Sequence, residues 1–303
     1  MYCLLWKTPP SMKSVKWYLV NLHFWVMMFD YTFGLLVIPY VLLPHLAGFP
    51  LGILQHFGVP TELQLIFLLI CIAYVVNSIV AVFENRFHVV CIYPGKEYWK
   101  FWRRWWICAH YLVGSVAITS LCFLFPEQEA ARKRVFEGLP CLHSYIGESD
   151  VFVASENIPY IAFLCIACGI MACGECLTFA AYLIYYTLHQ FKSRRMSRNT
   201  FNIQRRFLMA LIIQISVPMV TLIFPTIYGW FSIFTKYHNQ ALINIALTIG
   251  SLHGLCSTIV MLFVHQPYRE AVYILFLETK MMRVSEKDVN AYRGCFDNFC
   301  LRC

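Results

Sequence analysis

Six apolar runs, each long enough to cross a bilayer, constrain this chain more than any other feature of its sequence. They cover residues 17–43, 63–83, 105–125, 159–187, 207–231 and 241–265, and a transmembrane helix needs about 20 such residues. Lipid offers the backbone no hydrogen-bond partners, so runs of this kind fold as helices. Only 13% of the 303 residues are charged, against about a quarter in soluble domains. The sequence therefore predicts an all-α, polytopic membrane helix bundle.

Lysine and arginine are divided unevenly between the segments that connect these runs. Residues 1–16, 84–104, 188–206 and 266–303 hold 20 of them, whereas residues 44–62, 126–158 and 232–240 hold 4. The positive-inside rule places the first group in the cytoplasm. We therefore expect a cytoplasmic N-terminal segment (1–16), a transmembrane bundle (17–265) and a cytoplasmic tail (266–303). The net charge of +8 then reflects orientation and contact with anionic membrane lipids, and it is no argument for nucleic acid.

The chain has 14 cysteines, which raises the question of a metal site. Four of them have the doubled C-x-x-C spacing of zinc sites, but within one apolar helix they spread around its surface and cannot converge on one ion; they are Cys165, Cys168, Cys173 and Cys176. We interpret them as small residues that let helices approach closely. The basic tail holds three candidates for palmitoylation, Cys295, Cys300 and Cys303. No motif of a soluble enzyme is present, so we expect no catalytic residue, metal or cofactor.

Two acids lie within the apolar runs, and an ionisable group there costs several kcal/mol unless it is paired or neutralised. Asp30 lies at the middle of the first run, and Glu175 lies in the fourth run towards the cytoplasmic side. We interpret Glu175 as a protonated acid that faces the interior of the bundle.

Polar residues of three runs lie at similar depths. Ser251 and His253 are at the middle of the last run, and Asn77 is slightly towards the cytoplasm in the second. If these helices are neighbours, Asp30, Asn77, Ser251 and His253 form a buried polar cluster. Such a cluster acts either as a conformational switch or as separate hydrogen bonds that hold the helices together, and the sequence leaves both interpretations open.

The fifth run contains a proline near its centre, Pro218. Proline removes a backbone donor and kinks a helix. We therefore name Pro218 as a candidate pivot, although such kinks are frequently static.

Several segments together resemble a known receptor family. They are KTPPSMKSVKW, LHFWVMMFD, PYVLLPHLAGFPLG, VFENRF, QRRFLMALIIQISVP and the closing SLHGLCSTIVMLFVHQPYREA. The chain resembles the class H serpentine chemoreceptors of nematodes over nearly its whole length. The resemblance implies a rhodopsin-like bundle in the plasma membrane of sensory cilia. Such a receptor detects a small external chemical in olfaction and signals to a heterotrimeric G protein.

In that family a Lys-Thr-Pro segment similar to residues 7–10 follows the first helix and forms the first cytoplasmic loop. The resemblance therefore implies that this chain starts within that loop, with six of the seven helices and without the first. This agrees with the cytoplasmic start that the charge count predicts.

The resemblance also implies roles for residues at the cytoplasmic face. Glu84 and Arg86 end the second run where rhodopsin-like receptors carry an acid and an adjacent arginine that lock the resting state. Pro267, Tyr268 and Arg269 follow the last run in the place of the receptors' Asn-Pro-x-x-Tyr. Both groups are candidate G-protein contacts, or else charged and aromatic anchors at the membrane interface.

Aromatic residues in the outer halves of the runs offer a surface for a small apolar or amphiphilic ligand. The candidates are Tyr40, Phe67, Tyr160, Phe163, Tyr228 and Trp230. They are equally compatible with bundle core or lipid-facing positions.

Two alternatives to a signalling receptor remain. A six-span transporter or channel would show an inverted repeat or pore-lining rings of charge, and residues 17–125 and 159–265 are not similar to each other. The other alternative is a truncated relative that does not signal.

Overall fold

The computed structural model describes residues 15–139, 150–193, 197–264, 269–270 and 272–274. Within them the chain is mainly helical, as the sequence predicts. A π-helical turn, Thr32–Leu36, extends the first helix, and a 3₁₀ turn, Ser120–Leu124, extends the fourth. The helices are α1 (Lys16–Tyr31), α2 (Ile53–His56), α3 (Thr61–Val90), α4 (Lys96–Thr119), α5 (Gln128–Gly138), α6 (Ile158–Lys192), α7 (Arg198–Thr235), α8 (Gln240–Ser251) and α9 (His253–Val264).

Five helical stretches in the described residues are long and apolar enough to cross a membrane. They are Lys16–Leu36, Thr61–Val90, Lys96–Leu124, Ile158–Lys192 and Gln240–Val264. The remaining apolar run of the sequence, 207–231, falls within α7, which includes the apolar segment Met219–Thr235.

Helix α3 lies at the centre of the bundle, where it packs against α1, α4 and α6. Its residues Cys71, Val75 and Ile79 are fully or almost fully buried, and their spacing of four puts them on one helix face. They join α1 residues spaced by three or four, including Leu22 and Val26, in one apolar core. Helix α9 packs against α7 and reaches α1.

A three-stranded antiparallel sheet covers one end of the bundle, and it was not predicted from the sequence. Its strands are β1 (Pro39–Leu42), β2 (Leu46–Pro50) and β3 (Phe152–Ser155), in the order β1-β2-β3. The sheet packs on α5 through an apolar cluster that includes Leu42 and Val135. The first apolar run therefore does not stay helical to residue 43, since the helical backbone ends at Leu36.

The two ends of the bundle differ in composition. We call the end that carries the strands and α5 the sheet end. The opposite end, where α3 stops and α4 starts, is called the basic end, because it carries Arg86, Lys96, Lys100, Arg103 and Arg104.

Candidate functional site

An acid and a histidine meet in the middle of the bundle. Asp30 of α1 and His253 of α9 approach to 2.8 Å between Oδ1 and Nδ1, although the two atoms are not aligned for a hydrogen bond. His253 is fully buried, and the ring of Phe29 lies edge-on to it at 4.7 Å. A Cβ on Gly254 would lie 1.5 Å from Asp30 Oδ2. The glycine therefore provides the space that this carboxylate occupies.

The other two members of the expected polar cluster lie elsewhere. Asn77 donates from Nδ2 to the backbone oxygen of His110 at 3.1 Å, between α3 and α4. The hydroxyl of Ser251 donates to the backbone oxygen of Thr248 within its own helix. The expectation of one four-residue cluster is therefore corrected to a pair, because Asn77 and Ser251 are at suitable depths but on other faces of their helices.

A different polar network joins α1, α3 and α4, and it was not predicted from the sequence. Asn21 donates from Nδ2 to Ser78 Oγ at 2.8 Å and to Tyr111 Oη at 2.7 Å. The hydroxyls of Ser78 and Tyr111 are 2.8 Å apart. Each of these groups has at least two polar contacts, which offsets the cost of burying it. The sequence could have indicated this network, because Asn21, Ser78 and Tyr111 lie at matching depths in three consecutive runs.

The basic end contains an ion pair centred on a fully buried acid. Glu84 has no exposed side-chain surface, and Arg103 of α4 donates to it through Nη2 at 2.6 Å and through Nε at 3.1 Å. Trp99 Nε1 donates to the same carboxylate at 2.7 Å, and Arg103 also donates to Asn85 Oδ1 at 3.0 Å. The guanidinium lies 5.6 Å from the ring centre of Tyr18 on α1. The cluster therefore joins three helices.

The ion pair between Glu84 and Arg103 joins two helices and was not predicted from the sequence. The turn of residues 91–95 returns α4 alongside α3, which brings Arg103 to Glu84. Arg86 itself is buried at the same end. The sequence could have indicated this pair, because Glu84 directly follows the second apolar run and Arg103 lies just before the third.

Two side chains between α3 and α4 are held in their neutral forms. Burial raises the pKa of the Cys91 thiol to about 11 and the pKa of the Tyr93 hydroxyl to about 12. The charge of Glu84 raises the pKa of Tyr93 further. The Tyr93 ring stacks on Phe87 at 4.8 Å, so this turn is packed onto α3.

The second acid of the apolar runs also faces a histidine. Glu175 of α6 lies 3.0 and 3.2 Å, through its two oxygens, from Nε2 of His110 on α4. Nδ1 of His110 lies 3.0 Å from the backbone oxygen of Trp106. Glu175 therefore has a specific partner, which was not assigned from the sequence. The sequence could have indicated it, because His110 lies within the third apolar run.

A groove opens beside this pair, between α4 and α6 in the half nearer the basic end. It has a volume of about 990 Å³, and its walls include Trp99, Trp102, Trp106, Phe179 and Glu175. Half of its lining residues are aromatic, and Glu175 supplies a carboxylate. Such a surface suits a ligand that is largely apolar and carries one polar group.

Comparison with known proteins places this architecture in a receptor family. The family model described as serpentine type 7TM GPCR chemoreceptor Srh matches residues 1–278. The chain belongs to the Srh family of serpentine chemoreceptors. It is also similar to serpentine receptor class H-72 of Caenorhabditis elegans, with 28% identity over 288 residues, which cover 92% of this chain and 80% of that receptor. The resemblance predicted from the sequence is confirmed, as is a serpentine helical bundle in the membrane.

The positions expected at the cytoplasmic face of this Srh receptor are described only in part. Glu84 and Arg86 lie at the basic end, and Arg269 is exposed. Pro267, Tyr268 and the tail cysteines Cys295, Cys300 and Cys303 lie outside the described residues.

The six aromatic residues expected to face a ligand are divided among different surroundings. Tyr40 stacks on Phe49 in the sheet at 4.8 Å, and Phe67 packs against the main core. Tyr228 and Trp230 pack on a small cluster at the sheet end. Tyr160 and Phe163 of α6 are exposed.

The expected pivot lies in continuous helix. Helix α7 runs unbroken from Arg198 to Thr235 and includes Pro218, whose side chain lies outside the described residues. Helices α8 and α9 meet at Leu252, beside His253, where the backbone stays in the helical region with φ −83° and ψ −4°.

Proposed function

We propose that this Srh receptor binds a small external chemical and signals to a heterotrimeric G protein from the plasma membrane of sensory cilia. The family match over residues 1–278 carries the proposal. The helical bundle and the buried ion pairs between its helices are compatible with two packing states of the kind that a ligand can shift.

In our proposal the basic end faces the cytoplasm and contacts the G protein and anionic lipid, with both chain termini on that side. Its support is the charge count of 20 against 4 between alternate segments. A flexible linker with an N-glycosylation acceptor, inserted after Gly58 at the sheet end or after Ser193 at the basic end, tests the orientation. Glycosylation after Gly58 alone is expected, and the opposite pattern would reject it.

The proposed external site uses the aromatic residues near the sheet end, with Tyr228 and Trp230 as its first members. They adjoin contacts between the sheet and the α7–α8 connection: Gln240 Nε2 donates to the backbone oxygen of Val41 at 3.2 Å, and His238 Nδ1 donates to the backbone oxygen of Leu43. A chemical bound there would act directly on the start of α8.

The proposed switch is the Asp30–His253 pair. His253 lies one residue beyond Leu252, where α8 and α9 meet, so a tilt of α8 relative to α9 would change the distance between the two side chains. The proposed resting-state lock at the other end is Glu84 with Arg103 and the neighbouring Arg86.

Three further roles remain proposals. Pro218 is a proposed pivot, and Pro267, Tyr268 and Arg269 are proposed G-protein contacts. Palmitoylation is proposed to anchor the tail at Cys295, Cys300 and Cys303.

Nucleotide exchange tests the signalling proposal. The full chain in lipid nanodiscs is mixed with purified heterotrimers of several classes, and the rate of GTPγS uptake is compared with that in empty nanodiscs. We expect a faster rate with at least one class and a further change in Glu84→Gln. Equal rates for every class, with folded protein in the discs, would argue for the non-signalling alternative.

A further inference from the structure

The groove between α4 and α6 combines three indole rings with one carboxylate. Trp99 and Trp106 lie 5.7 Å apart between ring centres, and Trp102 contributes to the same lining. One quarter of the Glu175 side-chain surface is exposed (25%). The carboxylate is therefore accessible to a molecule that occupies the groove.

The contacts of His110 determine how many protons the imidazole and the Glu175 carboxylate hold together. The backbone oxygen of Trp106 can only accept, so the Nδ1 atom of His110, 3.0 Å away, must carry a proton. The contact between Nε2 and Glu175, at 3.0 Å, then needs one further proton. Whether that proton is on the ring or on the carboxyl, the pair has no net charge.

We propose that this groove binds a lipophilic amine that enters from the membrane, with its nitrogen on Glu175 and its apolar body against the tryptophans. Charge complementarity selects this ligand class. A carboxylate attracts an ammonium group, and indole faces attract the same cation through their quadrupoles. The site differs from the proposed external site in position and chemistry, and it does not depend on coupling to a G protein.

Binding conserves charge within the bilayer. The amine leaves the lipid as the neutral base, and its nitrogen lone pair takes the proton held between His110 Nε2 and Glu175. A new N–H bond forms on the ligand as the N–H or O–H bond of the pair breaks. The products are an ammonium–carboxylate pair and a neutral imidazole that still donates from Nδ1 to Trp106. No uncompensated charge is left in the membrane, where it would cost several kcal/mol.

A photocrosslinking experiment compares two probes with the same 12-carbon chain. The full receptor in phosphatidylcholine nanodiscs is titrated with diazirine-bearing dodecylamine or with the matching dodecanol, and the labelled residues are located by mass spectrometry. We expect the amine to label α4 and α6 around the groove at about tenfold lower concentration than the alcohol, which is the scale of one good cation–π contact with a charge pair.

Two variants, each with a matched control, test whether Glu175 and the groove cause the preference for the amine. Glu175→Gln keeps the size of the side chain, and it should make the amine and the alcohol equal. Glu97→Gln is its control. It removes an acid that is 83% exposed on α4, the other helix of the groove, and it should leave the amine preference intact. Gly174→Leu should reduce labelling by both probes, because a Cβ on Gly174 points into open space at the groove. Gly169 is equally unhindered on α6, so Gly169→Leu is its control.

Two results would overturn the proposal. Equal labelling by the amine and the alcohol in the native chain would mean that the groove holds any lipid chain. An amine preference that survives Glu175→Gln would place the recognition elsewhere. If Glu175→Gln does not fold, Gly174→Leu provides the test. The proposal would be overturned if folded Gly174→Leu were labelled by the amine in the groove as strongly as the native chain.

Discussion

Gly254 and Asp30 are in contact in a way that no other residue at position 254 would allow. A Cβ there would lie 1.5 Å from Oδ2 and 2.3 Å from Cγ of the carboxyl group. The carboxyl group also faces His253 at 2.8 Å, so it cannot move aside without losing that contact. The adjacent His-Gly dipeptide therefore supplies both the partner of Asp30 and the space for it.

We predict that Gly254→Ala displaces Asp30 from His253. The loss should be about 1 to 2 kcal/mol of unfolding free energy, measured by denaturant titration in detergent. Gly169→Ala is the control, because a Cβ there meets nothing within 4 Å. The double variant Asp30→Asn with Gly254→Ala should lose less than the sum of the single variants. Additive losses would mean that the two residues act independently.

Glu84→Gln should destabilise the receptor by about 3 kcal/mol, because it leaves the largely buried Arg103 without its counter-ion. Glu97→Gln, which removes the exposed acid paired with Lys100, should change stability by less than about 0.5 kcal/mol. Thermal and denaturant unfolding in detergent measure both. Adding Arg103→Gln to Glu84→Gln should recover part of the loss, since Arg103 then no longer leaves an unpaired buried charge. A Glu84→Gln variant as stable as the native chain would contradict this account of the cluster.

Lys236 ends α7 in the left-handed region, with φ 54° and ψ 29°. Glycine adopts this conformation without the steric cost of a side chain. We therefore expect Lys236→Gly to be more stable than Lys236→Ala by about 1 kcal/mol. Both substitutions remove the charge, so the difference between their unfolding midpoints isolates the backbone effect. Equal midpoints would show that this conformation is not strained.

Cys91 should react slowly with N-ethylmaleimide at pH 7.5 in the folded receptor. Its thiol is buried, and a pKa raised to about 11 leaves very little reactive thiolate at that pH. Labelling should rise as the pH approaches that pKa, and it should become rapid at pH 7.5 after unfolding in SDS. Mass spectrometry of the peptide that contains Cys91 measures the extent. Fast labelling of the folded chain at pH 7.5 would exclude a buried thiol.

The depth of a residue in the bilayer could be predicted from the sequence, but its direction around the helix axis could not. Asp30 and His253 were matched by depth alone, and the structure brings them together. Asn77 and Ser251 have comparable depths, yet they bond to His110 and Thr248. In an apolar run every face is apolar, so the sequence carries little periodicity from which rotation can be inferred.

The sheet could not be predicted because its strands continue apolar sequence. Residues 37–43 belong to the same apolar run as α1, and composition alone gives no reason to end the helix before them. Pro39 was the local signal, because it cannot donate a helical hydrogen bond. The pairing of Leu46–Pro50 with Phe152–Ser155 joins residues more than 100 positions apart, which no local pattern contains.

The neutral pairing of His110 with Glu175 has a consequence for how the receptor responds to membrane voltage. A unit charge that crosses the bilayer gains or loses about 2.3 kcal/mol per 100 mV. The single proton between these side chains moves over the length of one hydrogen bond, within a pair that has no net charge. A voltage across the bilayer therefore does almost no electrical work on this pair.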